Sequence, residues 1–161
     1  MTHMRKEVAA GRSELPRRSI RYSSSKQTTI LVVEDNPGDA RLIEAVFATG
    51  LSYTQVDVVF RGEEAREYLL QQDPPTLITL DLFLPDTNGL EILEWMSGDD
   101  RFADIPVIIF TSSSDPAHAK RAYSLGARRY LQKPANFGRL VTAVKKELEC
   151  WMDPKLYSSI A

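Results

Sequence analysis

Five polar residues in this chain come at the ends of short apolar runs, where parallel strands would present them to a ligand. The five are Glu34, Asp35, Asp81, Thr111 and Lys133. Short apolar runs separated by helical periods are typical of buried parallel strands. Ligands of such sheets bind beyond the carboxyl ends of the strands. We therefore expect three carboxylates, a hydroxyl and an ammonium at one sheet edge, a set suited to magnesium and a phosphoryl group.

The three carboxylates predict a metal ion. Carboxylates that lie close together repel, and burying them costs several kcal/mol unless a cation compensates. Mg²⁺ would do so, because it prefers carboxylate and water oxygens. The alternative is helix capping by Asp35 or Asn36 ahead of Pro37. Capping explains one acid but not Asp81, which precedes another apolar stretch, so we favour the metal.

Asp81 is the candidate nucleophile, because a carboxylate can attack phosphorus to form an acyl phosphate. Such a reaction depends on positioning and on neutralising charge. Lys133 would supply a compact cation, and Thr111 would donate a hydrogen bond. Taken singly, Thr111 is an ordinary strand residue and Lys133 an ordinary surface lysine. Together, with Pro134 restricting the chain after Lys133, they indicate phosphoryl binding.

Apolar runs and helical periods alternate five times along the chain. The predicted strands are 29–33, 54–60, 77–81, 107–111 and 129–132, and the predicted helices are 37–50, 63–71, 88–96, 116–125 and 136–152. The last helix has an apolar stripe formed by Phe137, Leu140, Val141, Val144, Leu148 and Trp151. Five βα units predict an α/β fold, a doubly wound five-stranded parallel sheet with five helices.

The chain of 161 residues is long enough for one domain. We divide it into a basic extension at 1–28, a domain at 29–152 and a tail at 153–161. The extension carries seven Lys or Arg against two Glu, a net charge of +5. We expect it to be flexible. It is the only feature that favours nucleic acid, which we do not expect as a partner.

Membrane insertion and disulfide chemistry are not expected. The apolar runs are far too short to span a bilayer, and residues 1–28 lack the apolar core of a signal peptide. Cys150 is the single cysteine, so no internal disulfide can form and a cytoplasmic location is favoured. We interpret Cys150 as an incidental thiol. His3 and His118 are interpreted as ordinary surface residues.

Four segments resemble the CheY-like receiver domain of two-component response regulators. They are LVVEDN at 31–36, LDLFLPDTNG at 80–89, FTSS at 110–113 and GARRYLQKP at 126–134. The resemblance covers residues 29–150. Within the family, the chain looks most like the stand-alone receivers paired with bacterial phytochrome kinases. The features that indicate this are residues 35–39, the run 111–114 and the Trp151–Met152 end.

The resemblance implies a role for each site residue. Asp81 accepts a phosphoryl group from the phosphohistidine of a sensor histidine kinase. Mg²⁺ is held by Glu34, Asp35, Asp81 and the backbone carbonyl of Phe83, and Lys133 binds the phosphoryl group. Thr111 moves toward that group, and Tyr130 rotates inward behind it. The alternative interpretation of Tyr130 is an ordinary aromatic residue of a strand, without a switching role. The Lys133–Pro134 peptide bond is expected to be cis.

Phe83 departs from the closest pattern, in which a polar residue stands two positions after the phosphorylated aspartate. Its side chain could shield the acyl phosphate, so we expect slow loss of the phosphoryl group. The domain would catalyse its own phosphorylation and dephosphorylation without being an enzyme in the usual sense.

The expected output surface comprises the fourth helix, fifth strand and last helix. Its basic residues are Lys120, Arg121, Arg128, Arg129, Lys145 and Lys146. These residues would suit an acidic partner or salt bridges between subunits. The alternative interpretation is a solvated polar surface without a partner. The resemblance favours a homodimer through this region, with Trp151, Met152 and Tyr157 as apolar contacts.

Two other functions are open to this sequence. A magnesium-dependent phosphohydrolase could also use an aspartate nucleophile, but it needs a second acid where this chain has Phe83. A pseudo-receiver would act by contact alone, and the complete set of site residues argues against it.

Overall fold

The computed structural model describes residues 28–51, 54–134 and 137–152, in which strands and helices alternate. The elements are β1 (Thr28–Val33), α1 (Pro37–Gly50), β2 (Thr54–Val59), α2 (Gly62–Gln71), β3 (Leu77–Leu80), α3 (Gly89–Ser97), β4 (Val107–Thr111), α4 (Pro116–Ser124), β5 (Arg129–Gln132) and α5 (Phe137–Met152). The predicted five-stranded parallel α/β fold with five helices is therefore confirmed.

The element bounds lie within one residue of the sequence prediction. The difference that bears on the site is at β3, which we expected to include Asp81. The strand ends at Leu80, although the Asp81 amide still donates to the carbonyl of Val33 at 3.0 Å. The chain then turns away, and the carbonyl of Leu82 accepts from the amide of Gly89. Asp81 is thereby placed in the loop at the sheet edge.

The sheet has the strand order β2-β1-β3-β4-β5, and every pair is parallel. The chain reverses its direction of winding between β1 and β3, which is where ligands of open α/β sheets bind. Val33 pairs with Leu80, and Thr111 pairs with Gln132. These registers bring the ends of β1, β3, β4 and β5 to one edge.

Two apolar cores cover the two faces of the sheet. On one face, α1 and α5 pack over the strands through Ile43, Phe47, Leu140 and Val144. On the other face, α2, α3 and α4 pack over alternate strand residues. Because both faces of the central strands are buried, these strands read as continuous apolar runs rather than as alternating ones.

Side-chain caps mark the starts of α1, α3 and α4. The Asn36 side chain accepts hydrogen bonds from the amides of Gly38 and Asp39, and Pro37 occupies the first turn of α1. Asp115 caps α4 in the same way, with Pro116 after it. The α4 helix ends before Gly126, whose φ of 97° is a conformation that glycine adopts without steric cost.

Several sequence expectations lie outside the described residues. They are the extension at 1–27 with His3, the tail at 153–161 with Tyr157, and the side chains of Phe137, Leu148, Cys150, Trp151 and Met152.

Candidate phosphoryl and metal site

Backbone hydrogen bonds hold the candidate residues in register just beyond the strands. The amide of Glu34 donates to the carbonyl of Val59 at 3.0 Å, and that of Lys133 donates to the carbonyl of Thr111 at 2.8 Å. These bonds continue the ladders of the sheet past the strand ends. Glu34 and Lys133 are therefore held at the carboxyl edge of the sheet by its backbone hydrogen bonds.

Glu34, Asp35 and Asp81 form a carboxylate cluster at this edge. One oxygen of each lies within 4.8 Å of the others. Glu34 and Asp81 are buried, whereas Asp35 is exposed. The cap of α1 is Asn36, so the Asp35 carboxylate is not used for that purpose. Three converging carboxylates, two of them buried, fit a hard divalent cation such as Mg²⁺.

Lys133 sits among these carboxylates. Its Nζ lies 2.5 Å from Glu34 Oε2 and 2.9 Å from Asp81 Oδ2, and all three side chains are buried. A third contact, of 3.1 Å, joins Nζ to Asp39 Oδ2. Sequence reasoning missed Asp39, because an acid in the first turn of a helix is usually explained by the helix dipole.

Burial and mutual repulsion perturb the ionisation of this cluster. Burial raises the pKa of Glu34 to about 7, and the charge of Asp81 adds to this despite the opposing hydrogen bond from Lys133. Burial by itself would lower the pKa of Lys133. The hydrogen bonds and charges of Glu34 and Asp81 outweigh it and raise that pKa, so the ammonium stays charged.

Thr111 and Tyr130 each make one hydrogen bond at or beside the site. Thr111 Oγ1 donates to Asp81 Oδ1 at 2.7 Å, and the threonine is fully buried. The hydroxyl of Tyr130 donates to the carbonyl of Ser113 at 3.1 Å. Burial, together with the charges of Asp115 and Asp81, raises the pKa of Tyr130. Its phenol therefore remains a hydrogen-bond donor.

Phe83 and His118 face each other at the edge of the site. The amide of Phe83 donates to Asp81 Oδ1 at 3.1 Å, and the residue as a whole is 48% exposed. The His118 ring meets the Phe83 ring edge to face, with centroids 6.1 Å apart. His118 Nδ1 also lies 2.6 Å from Ser113 Oγ. His118, which we interpreted as an ordinary surface residue, is half-buried and joins α4 to two loops of the site.

Close backbone contacts shape the loops around Asp81. A Cβ on Gly89 would lie 2.3 Å from the carbonyl oxygen of Asp81, so only glycine fits there. The Lys133–Pro134 peptide bond is cis. The carboxylate of Asp86 accepts from the amides of Gly62 and Glu63, which joins the loop after β3 to the start of α2.

The strand order, with an acidic pocket and a lysine at the carboxyl edge of β1 and β3, defines a receiver-type α/β domain. The sequence profile of the response regulator receiver domain matches residues 30–145. The chain therefore belongs to the response regulator receiver family of two-component signalling.

Named relatives include regulators associated with phytochromes. The chain is 30% identical to the response regulator Rcp1 of Synechocystis over 81% of this chain and 92% of that protein. The structure of the phosphorylated cyanobacterial phytochrome response regulator RcpA matches with a TM-score of 0.69 and 33% identity, covering 80% of this chain and 96% of the other. The structure of Mn²⁺-bound Rcp1 matches with a TM-score of 0.68 and 30% identity, covering 78% and 95%.

These matches support general statements about this chain. It is a receiver domain related to phytochrome response regulators, and receivers of this family are generally partners of sensor histidine kinases rather than enzymes. Its acidic pocket is of the kind in which receivers bind Mg²⁺ or Mn²⁺. Among the described residues, no helix is long and apolar enough to cross a membrane.

Proposed function

We propose that the protein is a phosphorylation-controlled response regulator in which Asp81 accepts a phosphoryl group from the phosphohistidine of a sensor kinase. An oxygen of Asp81 attacks phosphorus, the phosphorus–nitrogen bond breaks, and the imidazole of the kinase leaves with the bond's electron pair. The observation that carries this proposal is the set of contacts around Asp81. The buried Asp81 carboxylate accepts a hydrogen bond from the Thr111 hydroxyl at 2.7 Å and another from the Lys133 ammonium at 2.9 Å.

Each neighbour of Asp81 has a role in this transfer. Glu34, Asp35, Asp81 and the carbonyl of Phe83 would hold Mg²⁺, which when bound supplies positive charge next to the transferred group. Lys133 would donate to one phosphoryl oxygen and Thr111 to another. Because these donors are already positioned, little reorganisation is needed during transfer.

The output would pass through Thr111 and Tyr130 to the surface formed by α4, β5 and α5. A phosphoryl group adds roughly −1.5 to −2 charges at an acidic edge and needs an element with two arrangements to act on. The hydrogen bond from Tyr130 to Ser113 links β5 to the loop that precedes α4. We therefore assign Thr111 and Tyr130 as the switch residues.

We further propose a bacterial phytochrome kinase as the donor, a homodimer through the α4–β5–α5 surface and a cytoplasmic location. The likeness to the phytochrome response regulator RcpA supports the choice of kinase. The basic residues of the α4–β5–α5 surface support the homodimer. Two of these residues also form ion pairs within the chain: Arg121 with Glu94 at 3.1 Å and Arg129 with Glu147 at 3.6 Å. Light scattering would measure the molar mass, and so the dimer, with and without beryllofluoride, which mimics the phosphoryl group on aspartate.

The proposal is tested by intact mass after incubation with acetyl phosphate. We expect a magnesium-dependent gain of one phosphoryl group in the wild type, no gain in Asp81→Asn, and an unchanged gain in the exposed control Asp104→Asn. If the wild type gains nothing, phosphotransfer from a purified phytochrome kinase is the second assay. Failure of both would leave the pseudo-receiver as the better description.

We also propose that Phe83 slows the loss of the phosphoryl group. Its amide donates to Asp81 Oδ1 and its ring lies edge to face against that of His118, so an apolar side chain would stand beside the acyl phosphate. We expect Phe83→Asn to shorten the lifetime of the phosphorylated form several-fold. Phe60 is similarly exposed, at 44%, at the end of β2, and Phe60→Asn is the matched control. Equal lifetimes for the wild type and Phe83→Asn would rule out this shielding role.

A further inference from the structure

Asp39 is a fourth carboxylate at the site, and it differs from the other three in its contacts. It lies in the first turn of α1, where its backbone amide is held by the capping side chain of Asn36. Its Oδ2 lies 3.1 Å from Lys133 Nζ, across 94 positions of sequence. Its side chain is 32% exposed, whereas that of Lys133 is 7% exposed. Asp39 therefore lies at the rim of the site and contacts the lysine rather than the carboxylate cluster.

The ammonium of Lys133 has three donor hydrogens and three carboxylate partners. Two of the partners, Glu34 and Asp81, belong to the cluster suited to a divalent cation. A cation bound there would compete with the ammonium for the same oxygens, and it would repel the ammonium at short range. Among the residues that the structure describes, Asp39 is the carboxylate partner of Lys133 outside that cluster.

We infer that Asp39 is a positioning residue, which holds the Lys133 ammonium at the rim of the site when Mg²⁺ binds to the cluster. This inference rests on the proposed function. An ammonium that keeps one charged acceptor gives up Glu34 and Asp81 more easily than one that would be left buried without a partner. Asp39 therefore favours metal binding without coordinating the metal, and it keeps Lys133 near the place where a phosphoryl oxygen would arrive.

The test is a calorimetric titration of the full chain with MgCl₂, followed by the rate of phosphorylation by acetyl phosphate. We expect Asp39→Asn to weaken Mg²⁺ binding about fivefold. This is less than the full loss of a charge-assisted hydrogen bond, because the Asp39 side chain is 32% exposed and water partly screens its contact with Lys133. Asp39→Glu should recover most of this loss. Glu44→Gln removes one charge from an exposed position further along α1, and it should change the affinity less than twofold.

A double variant separates positioning from the simple loss of one negative charge. In a Lys133→Met background, Asp39→Asn should change Mg²⁺ affinity less than twofold, since no ammonium remains to be held. An undiminished fivefold effect in that background would overturn the inference. If Lys133→Met does not fold, the test uses instead the NMR signal of the Lys133 ζ-ammonium, measured in the wild type and in Asp39→Asn. With Mg²⁺ bound, that signal should be protected from solvent exchange in the wild type and lost in Asp39→Asn; equal protection would overturn the inference.

Failure of the inference is distinguishable from failure of the proposed function. If the wild type neither binds Mg²⁺ nor gains a phosphoryl group, the proposed function fails. If the wild type does both and Asp39→Asn matches it in affinity and rate, only the role of Asp39 is refuted.

Discussion

Replacing Lys133 with Met tests whether the ammonium is the counter-charge that stabilises the metal-free site. Methionine keeps an unbranched apolar side chain and removes the charge. Glu34 and Asp81, which are 2% and 6% exposed at the side chain, would then be left facing each other without a cation. Removing one partner of a buried ion pair costs about 3–5 kcal/mol. We expect a loss of that size in the free energy of unfolding at pH 8 without Mg²⁺.

The loss of stability in Lys133→Met should depend on pH, because Glu34 becomes neutral when it binds a proton. Its pKa in the folded protein is about 7, above the ordinary value of 4.5. A raised carboxyl pKa means that the folded state binds the proton more tightly. Stability from Glu34 is therefore present below its unfolded pKa and is lost as the pH rises through about 7. Without Lys133 the pKa rises further, so the variant should be closer to wild type at pH 6 than at pH 8.

The assay is urea unfolding in EDTA at pH 6 and pH 8, with Lys120→Met as the matched control. Lys120 is exposed on α4, so its replacement should change stability by no more than about 0.5 kcal/mol. Millimolar Mg²⁺ should restore more stability to Lys133→Met than it adds to the wild type, because it replaces the missing cation. If Lys133→Met were as stable as the wild type at pH 8 in EDTA, the reasoning would be refuted.

Three further predictions concern single residues. Mg²⁺ affinity should rise about tenfold per pH unit below pH 7 and level off above it, because Glu34 must release its proton; calorimetry in two buffers counts that proton, and Glu34→Gln should remove the slope. Thr79→Val should stabilise the domain by about 1 kcal/mol in urea unfolding, because the Thr79 hydroxyl is buried with no hydrogen-bond partner among the described residues; a loss of stability would contradict this. Gly89→Ala should cost about 3 kcal/mol, because its Cβ would meet the Asp81 carbonyl at 2.3 Å. The control is Gly138→Ala, where nothing lies within 4 Å and stability should not fall.

Local sequence pattern was sufficient to predict the elements and the edge at which the site lies. Buried strands appear as short apolar runs, and the residue after each run must lie at the sheet edge. Helix starts were predictable for the same reason: the Asn36 and Asp115 caps and the prolines after them act within one turn. These signals involve neighbours in the chain, so the sequence displays them directly.

The contacts between loops depended on the tertiary structure. The pairing of Asp39 with Lys133 requires α1 and the end of β5 to approach each other across the sheet. The contact of His118 with Ser113 and Phe83 requires α4 to lean over the loop after β3. The sequence by itself determined which residues lie at the sheet edge, since periodicity records burial. Only the fold decided which of them touch, because that depends on strand order and helix packing, which no local pattern encodes.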